Sequence, residues 1–510
     1  MNVCNWLIST AERMPHKTAI LFEEDSYTYK ELKFNVLSLA KELRRQGFKE
    51  KMNIGLMMHN SSDYIISYFA ILAIGATAVP INPLFKENEV VYILRNSNAI
   101  GILTDNRSIT TILNINKEVE ALNNIICSKV VEQTNNKKIK FLLNANDAND
   151  NEANDLNQIY KSDMNDVAHI IFTSGTTGNP KGVMITHANL NWLSLTEASI
   201  LNVSSNDKVL CTLPLYHVYG NLQCMLSPFV NGATVIIKER FVAKEVLETI
   251  EKERITMFFG VPTMFAMLVQ SPLIEVLDFS SLRVCGSGGA SIATEIIKKI
   301  KQLMHIDILE GYGLTEGTAQ VTMNPYNGMK KIGSVGLPIP GVELKIIDEN
   351  NNEADIGVIG ELQFRGPIVM KGYYNNPQAT KEIIKENWLS TGDLAYKDKD
   401  GYIFIVDRKK DLIIRGGYNI YPREVEEILY QHPNILECAV IGIPNELYGE
   451  EIVAYIVCKN DFNEQEIIEH CKEHLVHYKI PRIFKCVEGL PKSAIGKILK
   501  RNLKELHFSI

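Results

Sequence analysis

The chain has 510 residues and a formal net charge of −7, with 45% hydrophobic and 22% charged residues. This length predicts two or more domains, and this composition is typical of a soluble globular protein. Because binding to a nucleic-acid backbone depends largely on positive charge, the negative balance argues against nucleic acid as the main partner.

Nothing at the N-terminus or within the chain predicts export or a membrane span. Residues Met1–Met14 lack the basic lead and apolar core of a secretory signal. The most apolar stretch, Tyr64–Ile81, contains Gly75 and Pro80, whereas a spanning helix needs about 20 mainly apolar residues. We therefore expect a buried helix that runs into a core strand; peripheral membrane contact stays open.

The cysteines favour a reducing compartment. There are nine of them, an odd number, and they form no CxxC pair. We expect reduced thiols and a cytoplasmic protein.

Helical patterns alternate with short β-branched runs along the first part of the chain. The pattern predicts a helix, a strand, a helix and two strands over Tyr29–Gln46, Asn53–Met57, Ser61–Ala73, Ala76–Ile81 and Gly101–Thr104. This rhythm is typical of helices packed on a largely parallel sheet. Residues Glu132–Asp166 are rich in Asn and Asp and are expected to form a solvated linker, followed by a strand over Val167–Phe172.

Helical patterns and short β-branched runs continue to alternate to the C-terminus, but the composition changes after Val406. Before it, a strand over Leu282–Val284 and a helix over Ala293–Met304 are expected. After it, Asp407–Pro422 combines a charge cluster with a Gly-Gly pair, as at a hinge. Two further helices and two further strands are expected over Arg423–Gln431, Glu464–His474, Ala439–Ile443 and Ile452–Val457.

The predicted fold class is α/β. A large N-terminal domain, residues 1–409, would consist of helices packed on mixed, largely parallel sheets. Residues 410–510 would form a small mobile α+β C-terminal domain.

One segment after a predicted strand has the chemistry of a phosphate-binding loop. It reads HIIFTSGTTGNPKGVMITH over His169–His187. Glycines let backbone N–H groups converge on an anion, while hydroxyls and a lysine add donors and positive charge. The residues that we assign to phosphate binding are Thr173, Ser174, Gly175, Thr176, Thr177 and Lys181. Pro180 stands where a P-loop needs its second glycine, so this is not a Walker motif.

Three more motifs follow in order: GYGLTE at Gly311–Glu316, STGDLA at Ser390–Ala395 and PKSAIGKILKR at Pro491–Arg501. Together with TSGTTGNPKG they resemble the adenylate-forming superfamily, which contains acyl-CoA synthetases, the adenylation domains of peptide synthetases and firefly luciferase. The resemblance covers nearly the whole chain. It implies activation of a carboxylic acid by ATP as an acyl-adenylate, with Mg²⁺ as metal and coenzyme A as acceptor.

Side-chain chemistry agrees with this resemblance at the GYGLTE motif. Tyr312 offers a flat face to adenine. Thr315 offers a hydroxyl to the α-phosphate, and Glu316 offers a carboxylate oxygen of the kind that Mg²⁺ prefers. The resemblance further implies that the adenine and acyl sites are walled by Ser287, Gly288, Gly289, Ala290, Gly311 and Gly313.

The resemblance also assigns charged residues of the second half. Asp393 and Arg408 match the residues that hold the ribose hydroxyls, and Lys410 matches the hinge. Lys497 matches the lysine that enters the active site during adenylation, where its charge would stabilise the charge developing at the α-phosphate. Rotation of the small domain would then present Gly416 and Gly417, which leave room for a thiol cofactor.

The acid is expected to lack an amine. Amino-acid-activating relatives carry an Asp after the strand that here runs through Val209 and Leu210, and the matching segment Pro214–Gly220 has no acidic residue. His217 matches the acyl-CoA synthetase pattern, near the substrate carboxylate. An apolar acyl channel is expected from Leu222, Met225, Phe259, Val261 and Met264. PLYHVYGN and RGGYNIYPREVE resemble bacterial long- or medium-chain fatty-acid–CoA ligases.

Three alternatives remain open from the sequence. One is a fatty-acyl-AMP ligase that loads an acyl carrier protein for lipopeptide or polyketide synthesis, and another is a CoA ligase for an aromatic acid. The third is a non-catalytic sensor of nucleotide or acyl-adenylate, against which the joint presence of Glu316, Asp393, Arg408 and Lys497 argues.

Overall fold

The computed structural model describes residues 1–115, 118–119, 122, 124–128, 139–141, 159–173, 180–493 and 496–508. Within these residues the strands form four sheets, three in the N-terminal part of the chain and one in the C-terminal part. This arrangement confirms the predicted α/β class with a large and a small domain. The division after Lys409 remains a prediction.

Two large sheets form the framework of the N-terminal domain; the central strands of each run parallel, and antiparallel strands lie toward the edges. From edge to edge, the first consists of Leu337–Pro338, Thr322–Met323, Ile308–Tyr312, Val284–Ser287, Met257–Gly260, Lys208–Cys211, Thr234–Ile237, Thr18–Phe22 and Asp25–Thr28. The second consists of Gly372–Tyr373, Lys181–Thr186, Val167–Thr173, Thr77–Pro80, Asn53–Met57, Gly101–Thr104, Asn124–Cys127 and Ile139–Phe141.

Two smaller sheets follow in the chain. The third sheet is antiparallel and consists of Glu343–Ile347, Gly360–Arg365, Trp388–Lys397 and Ile384–Lys385, with Ile403–Arg408 paired to Trp388–Lys397. The fourth consists of Tyr418–Ile420, Ile413–Arg415, Gly449–Cys458 and Ile435–Asn445, with Ile483–Cys486 paired to Gly449–Cys458. This last sheet and the three helices Pro422–Gln431, Glu464–His474 and Lys500–Phe508 make the small domain.

Helices cover the faces of the sheets. They span Cys4–Arg13, Tyr29–Arg45, Ser62–Ala73, Glu87–Asn96, Ile109–Ile115, His187–Ile200, Val218–Asn221, Ser227–Val230, Ala243–Glu253, Pro262–Gln270, Thr294–Met304, Pro377–Ile383, Pro422–Gln431, Glu464–His474 and Lys500–Phe508. Short 3₁₀ turns lie at Pro272–Glu275, Thr315–Gly317 and His477–Lys479, and Leu222–Leu226 is a π-helix.

The helices predicted over Tyr29–Gln46 and Ser61–Ala73 are found at Tyr29–Arg45 and Ser62–Ala73, and capping side chains fix where each begins. The Thr28 hydroxyl accepts from the Glu31 N–H at the start of Tyr29–Arg45, and Ser61 caps Ser62–Ala73 in the same way. The apolar stretch from Tyr64 onward is a buried helix that leads into the core strand Thr77–Pro80, as expected. Among the described residues, no helix is both long and apolar enough to cross a membrane.

Two local expectations need correction. The expected linker Glu132–Asp166 contains the strand Ile139–Phe141, which pairs in parallel with Asn124–Cys127 and extends the second sheet. Its acidic run from Asn144 to Asp155 lies outside the described residues. The strand expected over Leu282–Val284 instead spans Val284–Ser287, because its parallel partner Met257–Gly260 fixes its register.

Candidate active site

One large cavity lies where strands of the first two sheets end and the small domain meets the large one. Most of the residues predicted for the site line it. They are Thr173, Lys181, His217, Ser287, Gly288, Gly289, Ala290, Gly311, Tyr312, Gly313, Thr315, Glu316, Asp393, Arg408, Lys410 and Lys497. Ligands of parallel α/β sheets characteristically bind at the carboxyl ends of the strands, and the same location is used here.

The structure describes only the two ends of the predicted phosphate-binding loop. Thr173 and Lys181 face each other across the antiparallel pair Val167–Thr173 and Lys181–Thr186, at the last and first residues of these strands. Ser174, Gly175, Thr176 and Thr177, which follow Thr173 in the chain, lie outside the described residues.

Tyr373 connects the lysine of this hairpin to the predicted magnesium ligand. Its hydroxyl donates to Glu316 Oε1 at 2.7 Å, and Lys181 Nζ lies 5.1 Å from the centroid of its ring. Burial, and then the neighbouring Glu316 carboxylate, raise the pKa of Tyr373, so the phenol stays a donor. Sequence reasoning missed this residue. The only signal was a pair of adjacent tyrosines in KGYYN.

Glu316 fits the role of a magnesium ligand. No cluster of three or more His, Cys, Asp or Glu side chains suited to a metal occurs in the described part of the chain. Mg²⁺ is commonly held by one or two carboxylates together with substrate phosphates, for which a single glutamate beside the phosphate-binding hairpin suffices. Such an ion would neutralise charge on the phosphates.

A second group of polar side chains lies at the predicted ribose position. The Tyr312 hydroxyl donates to Asp393 Oδ2 at 2.5 Å, and Arg408 Nε lies 3.4 Å from Asp393 Oδ1. Asp393 and Arg408 are partners across adjacent antiparallel strands, which fixes their separation. Asp393 is largely buried, so its carboxylate is held in one orientation rather than moving in solvent.

Lys497 sits in a tight turn of the C-terminal domain. The Ser493 N–H donates to the Lys497 carbonyl at 2.7 Å, and the Lys497 N–H donates to the Ser493 hydroxyl at 3.2 Å. Gly496 adopts a φ of +78°, and a Cβ there would lie 2.7 Å from Thr263 Oγ1 of the large domain. A glycine at this position therefore permits both the turn and its close approach to the large domain.

The surroundings of Lys497 lower the pKa of its ammonium group. Burial lowers the pKa of this lysine to about 8; the charge of Arg408 adds to the shift and the Asp393 carboxylate opposes it. The side chain is partly buried in the wall of the cavity, where the interaction of its ammonium with a new negative charge would be stronger than in bulk water.

His217 lies close enough to Lys497 for their charges to interact. Burial, and then the charge of Lys497, lower the pKa of His217 to about 4, so its imidazole is neutral near pH 7. Its Nδ1 accepts from the Tyr219 N–H at 3.2 Å at the start of Val218–Asn221. Nε2 is then the nitrogen that carries the proton, and it can donate to a substrate carboxylate.

Gly416 and Gly417 are not brought to the cavity in this conformation. They form the turn between Ile413–Arg415 and Tyr418–Ile420 on the surface of the small domain. Arg415 beside them is buried, and its Nε donates to Glu451 Oε1 at 2.7 Å. Their role after domain rotation remains a prediction.

Only some of the residues expected to form an apolar acyl channel line the cavity. Phe259 and Val261 line the cavity, but Leu222 and Met225 are buried in the core instead. Met264 is half-buried against that core and is not a lining residue. The π-helix Leu222–Leu226 explains the difference, since it presents Gln223 to the cavity.

Matches to known protein families show to which class of protein this chain belongs. Residues 7–374 match the family model of the AMP-binding enzyme, and residues 424–497 match that of the AMP-binding enzyme C-terminal domain. The fold and the site are those of an adenylate-forming ligase, and the chain belongs to the AMP-binding enzyme family. It is an acid–CoA ligase that works through an acyl-adenylate, with ATP, Mg²⁺ and coenzyme A as its cofactors.

Relatives within this family differ in the acid that their names give. The chain is 35% identical over 98% of its length to a long-chain-fatty-acid–CoA ligase of Bacillus subtilis (strain 168), covering 93% of that protein. It is also 35% identical over 98% of its length to a 2-succinylbenzoate–CoA ligase of Oceanobacillus iheyensis, covering 98% of it. The anthranilate CoA ligase AuaEII in complex with anthranoyl-AMP superposes with a TM-score of 0.92 at 28% identity, over 100% of this chain and 98% of that one.

We predict that Tyr373→Phe raises the Mg²⁺ concentration needed for half-maximal adenylation by about tenfold, because loss of a hydrogen bond to a metal ligand typically weakens metal binding to that extent. Titration of Mg²⁺ in an acid-dependent pyrophosphate–ATP exchange assay measures this shift. Tyr374→Phe is the matched control, because the Tyr374 hydroxyl accepts from Asn53 and not from the site. Equal Mg²⁺ requirements in both variants would contradict the role of Tyr373.

We also predict that kcat/KM for adenylation falls as the pH rises through about 8. Lys497 has a lowered pKa of about 8, so its ammonium is present below this pH and is lost above it. The pH profile of pyrophosphate exchange, with substrates below saturation, measures the free enzyme. A profile that stays level to about pH 10, as for an ordinary lysine, would contradict this prediction.

Proposed function

We propose that the protein activates a fatty, amine-free carboxylic acid with ATP and transfers the acyl group to coenzyme A. The observation that carries the proposal is the burial of Lys497 and neutral His217 together in a cavity that also holds Asp393 and Tyr312. The cavity thus combines a positive charge on Lys497, a proton donor in His217, and two residues that we propose bind the nucleotide, Asp393 and Tyr312.

The first half-reaction follows from these groups. A carboxylate oxygen of the acid attacks the α-phosphorus of ATP, and pyrophosphate leaves with the electrons of the broken P–O bond. His217 Nε2–H would orient the carboxylate, and Lys497 would stabilise the negative charge on the reacting groups. Lys181, with Glu316 held by Tyr373, would position the departing pyrophosphate.

In the second half-reaction the thiol of coenzyme A attacks the carbonyl carbon of the adenylate, and AMP leaves. Gly416 and Gly417 lie away from the cavity, so we propose that the small domain rotates about Lys410 to bring their turn to the thiol path. Lys497 leaves the cavity in the same movement, and one cleft then serves both reactions.

Two features support a fatty acid. The segment Pro214–Gly220, which follows the strand Lys208–Cys211, offers no carboxylate to an amine. The relative of Bacillus subtilis that covers nearly the whole chain is named for long-chain fatty acids. The relatives named for 2-succinylbenzoate and anthranilate make an aromatic acid the alternative to be tested. We further propose a cytoplasmic location, which nine free cysteines support.

A panel of acids tests the proposal. The purified protein is incubated with ATP, Mg²⁺, coenzyme A and each of the even-numbered alkyl acids from acetate to palmitate, or with benzoate, cinnamate or 2-succinylbenzoate. We expect AMP and an acyl-CoA, with alkyl acids of medium or long chain giving the highest kcat/KM.

Three results would contradict the proposal in different ways. A preference for aromatic acids would refute the fatty-acid assignment. Loading of a carrier protein without any reaction of coenzyme A would identify a fatty-acyl-AMP ligase. If no acid in the panel supports pyrophosphate exchange, activation of fatty acids itself is wrong.

A further inference from the structure

Three charged side chains lie where the small domain meets the large one. Arg423 and Glu427 are one turn apart on the helix Pro422–Gln431 of the small domain, with Arg423 Nε 3.9 Å from Glu427 Oε1. Glu310, on the strand Ile308–Tyr312 of the large domain, is close enough to both for their charges to act on its carboxyl group. We call Arg423, Glu427 and Glu310 the interdomain cluster. No step of the proposed reaction uses these three side chains.

Arg423 ties the start of its helix to the large domain. Its Nη1 donates to the carbonyl of Ile405, and its backbone N–H donates to Asp407 Oδ2 at 3.0 Å. Both acceptors lie on the strand Ile403–Arg408, which precedes the proposed hinge at Lys410. The Arg423 side chain is only 16% exposed, and hydrogen bonds in which one partner carries a charge are stronger than neutral ones.

Glu427 makes a second contact with the large domain. Its carboxylate accepts a hydrogen bond from the Thr294 N–H at the start of the helix Thr294–Met304. Ala293, which precedes this helix, offers no side chain to cap it. A helix start has unpaired N–H groups and a partial positive charge, so a carboxylate there is favourable. A residue of the small domain thus caps a helix of the large domain.

Glu310 places a carboxyl group beside Arg423 from the large domain. It is 5% exposed, and its Oε1 accepts from the Gly333 N–H at 3.1 Å. Burial raises the pKa of Glu310 to about 7; the Gly333 N–H and the charge of Arg423 oppose this shift, and the charge of Glu427 adds to it. Arg423 is therefore a cation that carboxyl groups of both domains share. Separating it from Glu310 would leave a buried carboxylate without that partner, which is unfavourable.

The core of the small domain is built from other residues of the same helix. Val425 and Leu429 are buried in it. Arg423 and Glu427 instead join residues that follow Lys410 in the chain to residues that precede it. Rotation of the small domain about Lys410 would break these contacts, because their partners stay with the large domain.

We propose that Arg423 and Glu427 are positioning residues, which hold the small domain in the orientation that places Lys497 in the cavity. Their contacts would stabilise the adenylation orientation and would break before thioester formation. This assignment rests on the proposed function, and it names the side chains that set the balance between the two orientations.

Loss of either side chain should affect the two half-reactions differently. In Arg423→Ala and in Glu427→Ala, we expect kcat of acid-dependent pyrophosphate exchange to fall by at least about fivefold, at the lower end of typical coupling between sites. Thioester formation from preformed acyl-adenylate and coenzyme A should keep its wild-type rate or rise, because the contacts are already broken in the rotated orientation. Alanine favours helix, so the helix itself is retained.

Two further variants control for general effects of substitution. Glu424→Ala removes a carboxylate from the same helix whose ion pair, at 2.6 Å from Lys479, lies within the small domain. It should leave the ratio of the two half-reactions unchanged. Glu427→Gln keeps an acceptor for the Thr294 N–H and should retain more exchange activity than Glu427→Ala. Thermal unfolding checks that each variant folds, and the Glu427 variants decide alone if Arg423→Ala does not fold.

The outcomes separate this inference from the proposed function. Equal losses in both half-reactions would show a general disturbance of the enzyme and would overturn the positioning role. Wild-type exchange in folded Arg423→Ala and Glu427→Ala would overturn it as well. Absence of exchange in the wild-type protein with every acid of the panel would instead contradict the proposed function.

Discussion

The site depends on the burial of one ammonium group between two domains. Lys497 belongs to the small domain but lies in a cavity to which the large domain contributes Asp393 and His217. This burial lowers its pKa, because desolvation disfavours the charged form. The close approach of Gly496 to Thr263 allows the turn to reach that depth. The proposed catalysis and the proposed domain rotation both follow from this arrangement.

The two large sheets position the rest of the site, because segments that follow their strands lie at one edge. The hairpin predicted to bind phosphate, the Ser287–Ala290 segment and the GYGLTE motif all lie at strand ends that line the same cavity. Hydrogen bonds then fix side chains relative to each other, as Tyr312 does for Asp393 and Tyr373 does for Glu316. Positioning of this kind costs little at the moment of reaction because it is established by folding.

Motifs in the sequence were sufficient to predict the α/β class and the position of most site residues. Helical spacing of apolar residues predicted the early helices, such as Tyr29–Arg45, and the family motifs located Lys497 although nothing local distinguishes it from other lysines. Tyr373 and Gln223 could not be found in this way. Their positions depend on a short edge strand and on a π-helix, and neither has a periodic pattern in the sequence. The π-helix also explains why Leu222 and Met225, which were expected to line an apolar channel, lie in the core instead.

We propose that Lys497 acts in adenylation and leaves the cavity before thioester formation. Lys497→Ala tests this role when both half-reactions are measured on the same preparation, with Lys472→Ala, at an exposed site on the small domain, as control. We expect that acid-dependent pyrophosphate exchange falls by about 100-fold or more, while thioester formation from preformed acyl-adenylate and coenzyme A stays near the wild-type rate. Equal losses in the two half-reactions would contradict it.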